Sequence, residues 1–443
     1  MTQTQVLPLA EENIPSPLVG WEGKSPREEI SPRFSYAPTG GQEGQGALVI
    51  EADQRDGLDG WWTKTFPVIG GKHYRFQALY KAQNVEIPRR SILVKLDWQD
   101  ASGKAVSEDQ PTCTGYLCGS IGMAETEHPQ AKATNEMGWT EVSQTYHVPS
   151  QATQVSVELH LQWAPNSRVE WSLISLKESD PLPKRLARLA TVHFQPRSGE
   201  TPEGNCRLFE PFIAEAARQH VDLVVLGETL TLYGLGKTYA DVAEPIPGPS
   251  SKYFCALAKQ HDLYIVAGLV EREGHLIYNT SVLVGPDGEL VGKYRKVCLP
   301  RTEVQGGIAP GTEYPVFDTR FGKVGMMICY DGFFPEVALE LARQGAEIIA
   351  WPVWGCNPLL AAARACENHV YVISSTYEDI SRNWMFSAIY NHEGERIATA
   401  TEWGSLAVAE VDLEEPTRWV CLGDFKAHMH RHRPISPLEY QSQ

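Results

Sequence analysis

Three apolar runs in the second half of the chain end in side chains that can do chemistry. LVVLGETL reaches Glu228, LVGKYRKVCLP carries Lys296, and VGMMICYD carries Cys329. A cysteine attacks as its thiolate, and a free thiol titrates near about 8.5, so it needs a base and a nearby cation. A carboxylate can take the proton. A lysine ammonium can stabilise the anion that forms when an amide carbonyl becomes tetrahedral. Together these are the residue types of a cysteine amidohydrolase. Singly, each also fits a structural part: a helix-capping carboxylate, a surface charge and a small core hydrophobe.

The elements that must position them begin after Pro181 and Pro183, which break structure. LARLATVHF predicts a first strand, CRLFEPFIAEAARQH a helix, VDLVVLGE a strand, SSKYFCALAKQHD a helix and LYIVAGLVER another strand. Continuous apolar strands alternating with amphipathic helices predict an α/β domain whose helices cover its sheets. Functional groups in such folds gather where strands end. Asp331, two residues beyond the cysteine, is expected to serve a helix N-terminus together with Pro335 and Glu336. Cys356 and Cys366 are expected to be structural. Tyr233, Trp351 and Trp354 lie near the expected pocket, and the two tryptophans fit a substrate wall and simple packing equally well. The sequence shows no arginine clamp that would fix an acidic substrate, Arg301 being a candidate and no more.

From about Trp21 to Lys177 the grammar differs. GALVIEA, HYRFQALYKA, SILVKLDWQD and QVSVELHLQW alternate apolar and polar residues with period two, with turn signals between them. This predicts an antiparallel sandwich or jelly roll, residues 1–180, followed by the α/β domain, residues 185–443. The first half is dense in aromatics: Trp61, Trp62, Trp98, Trp139, Trp163 and Trp171. Most are expected in the core, since large aromatics dominate core burial.

Composition narrows the function classes. The chain has 443 residues, 42% hydrophobic and 21% charged, with a formal net charge of -16. That charge argues against nucleic acid and against anionic membrane as partners. No apolar stretch is long enough to span a bilayer, and the N-terminus has neither a basic start nor an apolar signal core, so the expectation is a cytoplasmic protein. Nine cysteines, an odd number, do not make a disulfide framework. Cys113 and Cys118 could form a local pair, but no second pair follows at zinc-site spacing, so no metal is expected.

The ordered set L-G-E-T, G-K-Y-R-K and G-x-M-I-C-Y-D-x-x-F-P-E is similar to the carbon–nitrogen hydrolase, or nitrilase, superfamily. Tyr278-Asn279-Thr280, Pro286-Asp287-Gly288, Pro310-Gly311 and A-R-A-C-E-N-H-V-Y-V (Ala363 to Val372) fall in the same order. The resemblance covers Arg185 to about Pro434. It implies an αββα fold with Glu228 as general base, Lys296 as oxyanion stabiliser and Cys329 as nucleophile. The strand would fix the cysteine, and the following turn would leave the Tyr330 N–H free to help bind the oxyanion. A second glutamate would position the substrate: Glu303 is the best match and Glu313 the fallback. No metal or organic cofactor is implied. Nitrile-cleaving members typically carry Cys-Trp-Glu, whereas Cys-Tyr-Asp resembles the amidase and carbamoylase branches, so a linear amide or N-carbamoyl amine is the expected small-molecule substrate. Nitrile hydrolysis is the alternative, as is a catalytically silent carbohydrate-binding scaffold. The family also implies assembly to at least a homodimer. In the first half, W-x-K-x-F-x-V-x-G-G-K-x-Y-R-F (Trp62 to Phe76) and V-E-W-S-L-I-S-L (Val169 to Leu176) resemble galactose-binding-like jelly-roll modules, which implies a carbohydrate ligand there.

Overall fold

A computed structural model describes residues 19–109, 122–377, 386–416, 418–419 and 423–435. Cys113 and Cys118 lie outside the described residues. The chain divides into two compact units, one of Met1–Pro183 with Pro416–Gln443 and one of Lys184–Glu415. The second domain was expected to run to residue 443, but at Pro416 the chain returns to the first unit. The physical reason is a buried ion pair: Arg418 reaches Glu127, which is 3% exposed, at 2.7 Å. Arg89 adds a bond from Nη1 to the carbonyl of His430 at 2.6 Å.

In the first unit the period-two segments pair as antiparallel sheets of four and six strands. Asp59–Pro67, Gln154–Gln162 and Ile92–Gln99 are neighbours in the smaller sheet. Arg168–Ser179, His73–Gln83 and Trp139–His147 form the centre of the larger. Inward side chains of both share one core that includes Trp62, Trp98, Phe76 and Trp171. Trp139 is also buried. Trp163 is the exception at 49% exposed. Trp61 stays half-buried, stacked on His160 with ring centres 4.9 Å apart.

The second unit holds two six-stranded sheets. In one, Leu223–Val225 runs parallel to Leu186–His193 on one side and to Tyr264–Glu273 on the other. In the other, Lys323–Met326, Ile348–Val353 and Tyr371–Thr376 run parallel. Leu189, Leu223 and Val225 face Met326, Ile348 and Ile373 in a core shared by the two sheets. Alternate residues, Val192, Val224 and Ile265, point the other way onto Phe209, Ile213 and Phe254 of covering helices. Helices Pro335–Arg343 and Pro358–Asn368 cover the opposite sheet through Val337, Leu341, Ala361 and Ala365. The order is helix, sheet, sheet, helix. The sheets are also tied by hydrogen bonds, Thr191 Oγ1 to the carbonyl of Ser374 at 2.6 Å and Ser375 Oγ to that of Val192 at 2.7 Å.

The single helix expected from CRLFEPFIAEAARQH is two, Pro202–Arg207 and Glu210–Arg218. Pro211 sits in the first turn of the second, where a missing N–H costs nothing, whereas inside one long helix it would break the ladder.

Candidate active site

The parallel strands deliver their ends to one place. Leu223–Val225 runs out toward Glu228, Lys323–Met326 toward Cys329, and Ile348–Val353 toward Trp354. Lys296 follows the antiparallel strand Leu290–Arg295. Glu303 lies in the short helix Arg301–Gln305. Glu228, Lys296, Glu303 and Cys329 are all buried.

Lys296 Nζ stands 2.7 Å from Glu303 Oε1 and 3.6 Å from Glu228 Oε2. One ammonium therefore lies between two carboxylates. The amide of Asn279 bridges the same pair, with Nδ2 donating to Glu303 Oε1 at 3.1 Å and to Glu228 Oε2 at 3.4 Å. The other Glu228 oxygen, Oε1, accepts from the backbone N–H of Trp354 at 3.0 Å. The next residue, Gly355, offers its carbonyl to Cys329 Sγ at 3.5 Å. One loop thus holds both the carboxylate and the thiol. Gly268 has no side chain because Glu228 leaves no room: a Cβ there would lie 2.4 Å from the Glu228 Cα.

The backbone is strained at the cysteine. Cys329 has φ 41°, in the left-handed region that non-glycine residues rarely occupy. Four bonds hold the turn there. Trp351 Nε1 donates to the carbonyl of Cys329 at 3.2 Å. Asp331 Oδ2 accepts from the N–H of Ile328 at 2.8 Å, and its Oδ1 from the N–H of Cys298, also 2.8 Å. Tyr294 OH adds a third donor to Asp331 at 2.8 Å. Asp331 therefore does not serve the helix Pro335–Arg343, as expected; it is fully buried and ties the cysteine turn to the segment that carries Lys296. Trp351 resolves as a packed, positioning residue with no exposure.

Electrostatics set the resting protonation. Burial disfavours the Lys296 ammonium, but Glu228, Cys329 and Glu303 outweigh it and hold the lysine above its ordinary value. Burial, then Glu228, push the Cys329 thiol well up, with Lys296 opposing. Burial also raises Glu303, against the pull of Lys296. The resting pair is a charged lysine and a protonated thiol. Such a thiol attacks only if its proton leaves during the attack, which requires a base at hand.

The Trp354 indole is half exposed, and the residue meets Glu228 through its backbone. The Tyr330 ring packs on Phe333 and Phe334, each 5.2 Å between centres. Tyr233 accepts a hydrogen bond from Gln195 and lies 4.4 Å from the ring of Tyr377. Burial, and then the charge of Glu228, raises the phenol of Tyr377. Glu313 is exposed and lines a separate cleft with Lys293 and Arg295. Arg301 is exposed. From the sequence, Asn279 entered only within the matching run Tyr278-Asn279-Thr280, with no role, and Tyr239 was not singled out. Tyr239 is pushed up to about 12 by burial and by Glu303 and Glu228. For Asn279 the signal was present: an amide in the middle of the apolar strand Leu276–Val284 must find partners inside. Among the described residues no group of three or more His, Cys, Asp or Glu is arranged to hold a metal ion.

Residues 188–420, more than half of the chain, match the carbon-nitrogen hydrolase family. The chain belongs to that family. A protein named nitrilase from Pyrococcus abyssi is 37% identical to this hydrolase over 243 residues, 52% of this chain and 90% of the relative. A protein named omega-amidase from Homo sapiens is 33% identical over 227 residues, 46% of this chain and 81% of the relative. Among solved structures, Nit3 of Saccharomyces cerevisiae, described as a member of branch 10 of the nitrilase superfamily, aligns with TM-score 0.46 and 27% identity over 53% of this chain and 92% of that one. Among the described residues, no helix is long and apolar enough to cross a membrane.

Proposed function

We propose that this carbon-nitrogen hydrolase is a cysteine amidase that cleaves a linear amide or N-carbamoyl amine through a thioester. The observation that carries the reading is the buried Lys296 ammonium between Glu228 and Glu303, beside a thiol held on the same loop as Glu228. Cys329 gives its proton to Glu228 as sulfur bonds to the carbonyl carbon. The oxygen becomes an oxyanion facing Lys296 and the Tyr330 N–H. The carbon–nitrogen bond then breaks, and Glu228 returns the proton to the departing ammonia or amine. Glu228 next deprotonates a water that attacks the thioester carbonyl. The carbon–sulfur bond breaks, and the thiol regains its proton. One difficult step becomes two easier ones. Glu303, hydrogen-bonded by Lys296 and Asn279, aims the ammonium and helps seat the amide.

The name omega-amidase on one relative favours an amide, and the name nitrilase on another keeps a nitrile as the second reading. Cys-Tyr-Asp at the nucleophile favours the amide. The test is ammonia release from a panel of linear amides, N-carbamoyl amines and nitriles, with Cys329→Ala as control. Turnover of amides above nitriles, absent in the variant, is expected. Turnover of nitriles alone would shift the reading to nitrile hydrolysis, and undiminished turnover in Cys329→Ala would sink it.

A further inference from the structure

Cys329 and Lys296 belong to different layers. The strand Lys323–Met326, which leads to the cysteine, lies in one sheet of the second unit. The strand Leu290–Arg295, which leads to the lysine, lies at the edge of the other. Each sheet is held by its own ladder, so a small slip of one on the other would part nucleophile from cation without breaking either. A misplacement of about 1 Å can cost about 10²-fold in rate.

Asp331 closes that gap from both sides. On the cysteine side, its Oδ2 accepts from the N–H of Ile328 at 2.8 Å. On the lysine side, it accepts from the residues two before and two after Lys296. The Tyr294 hydroxyl donates to Oδ2 and the Cys298 N–H to Oδ1, each at 2.8 Å. One carboxylate, two residues beyond the nucleophile, thus brackets the lysine. Asp331 has no exposure and Tyr294 is 1% exposed, so bulk water does not replace a bond lost there. Burial raises Asp331, while the N–H groups of Cys298 and Ile328, then Lys296 and Tyr294, favour its charged form.

The remaining ties stay within one layer. Arg364 Nε, from the covering helix, donates to the Gly332 carbonyl at 3.2 Å, and the Trp351 ring occupies the place of a Gly332 side chain. The Lys296 backbone bonds to the Asn279 carbonyl at 2.9 Å and the Gly311 N–H at 2.8 Å. Of all these bonds, those of Asp331 cross from cysteine to lysine. The bond to Ile328 would close the turn by itself; those to Tyr294 and Cys298 serve the link. Resting on the amidase reading, we propose that Tyr294 is a positioning residue. It acts through Asp331 to hold Cys329 and Lys296 at the separation where the oxyanion meets the ammonium as it forms.

Kinetics of Tyr294→Phe, Asp331→Asn and the double variant, on the most active amide of the panel, test it. Tyr294→Phe keeps the ring and removes one donor. Its kcat is expected to fall about tenfold with KM within about twofold, because the gap matters only once the oxyanion exists. Asp331→Asn is expected to lose about 10²-fold. The double variant is expected to lose less than the product of the two, since one residue acts through the other. Circular dichroism at the assay temperature gives the folded fraction of each. A merely structural Tyr294 would lower the melting temperature and leave kcat of the folded enzyme unchanged. That result, a loss in KM instead of kcat, or single losses that multiply in the double variant would overturn the proposal. If Asp331→Asn does not fold, the kcat and KM of Tyr294→Phe decide alone. Wild type inactive on every amide is a separate failure, which removes the amidase reading and this proposal with it.

Discussion

Two places in this molecule hold ionisable groups out of balance, and they err in opposite directions. In the second unit, the lone ammonium of Lys296 faces the carboxylates of Glu228 and Glu303, and Glu303 Oε2 has no hydrogen-bond partner among the described residues. In the first unit, arginines and histidines crowd a cavity that no described carboxylate lines. A buried ion pair kept for stability would be balanced and fully hydrogen-bonded, because an uncompensated charge costs several kcal/mol. Arg418, which anchors the tail, also meets two carboxylates, Glu127 at 2.7 Å and Glu108 at 3.4 Å.

The comparison breaks most sharply at the nucleophile. Cys329→Ala should lower ammonia release by about 10⁵-fold, with the circular dichroism spectrum unchanged, because covalent catalysis is lost outright. Lys296→Met should cost about 10³-fold in kcat as an oxyanion donor disappears. It should also lower stability by roughly 3–5 kcal/mol in urea unfolding, since two buried carboxylates lose their cation. A stability unchanged in Lys296→Met would mean that the carboxylates are not held by it. Asn279→Ala leaves every charge in place but removes the amide that bridges the two glutamates. Its expected effect is about 10²-fold in kcat/KM, the size of a misplaced catalytic group, with little change in KM.

The first unit offers a pH test. Burial, then His428, Arg431 and Lys95, hold His128 at about 2 against 6.5 for a free histidine. Above pH 6.5 the ring is neutral folded or unfolded and contributes nothing. Below it the unfolded chain binds the proton first, so stability falls as pH drops toward the folded value. At pH 5 that loss is about 2 kcal/mol. Urea unfolding at pH 7 and pH 5 checks it, with His128→Gln expected to shrink the difference by about that amount and to leave the part due to His428, His430, His432 and His73, which are also lowered. The smallest effect sharpens the choice between the two glutamates. Glu313→Ala should leave kcat/KM and stability unchanged within about 0.5 kcal/mol, whereas any loss near that of Lys296→Met would move the second glutamate from Glu303 to Glu313.

The parts legible in the sequence were those whose signal is local. Alternation in HYRFQALYKA and continuous apolarity in LYIVAGLVER each report what a strand buries on its two faces, and both segments are strands. The positions of Glu228, Lys296 and Cys329 at the ends of such runs could be read for the same reason. What stayed hidden depends on partners far away in the chain. Asp331 looks like a helix-opening acid until Tyr294 and the N–H of Cys298 are brought to it. Trp354 looks like an aromatic wall, yet its backbone is what touches Glu228. The return of the tail at Pro416 rests on Arg418 meeting Glu127, almost 300 residues earlier, a pairing that no period or motif announces.

The most direct test of the central claim is the mass of the trapped enzyme. Wild type and Glu228→Gln would be mixed with the most active amide of the panel, quenched in acid within seconds, and digested. The mechanism predicts an acyl group on the peptide bearing Cys329, removed by neutral hydroxylamine as a thioester is. An acyl group on any other residue, or turnover with Cys329 unmodified in every quench, would contradict it.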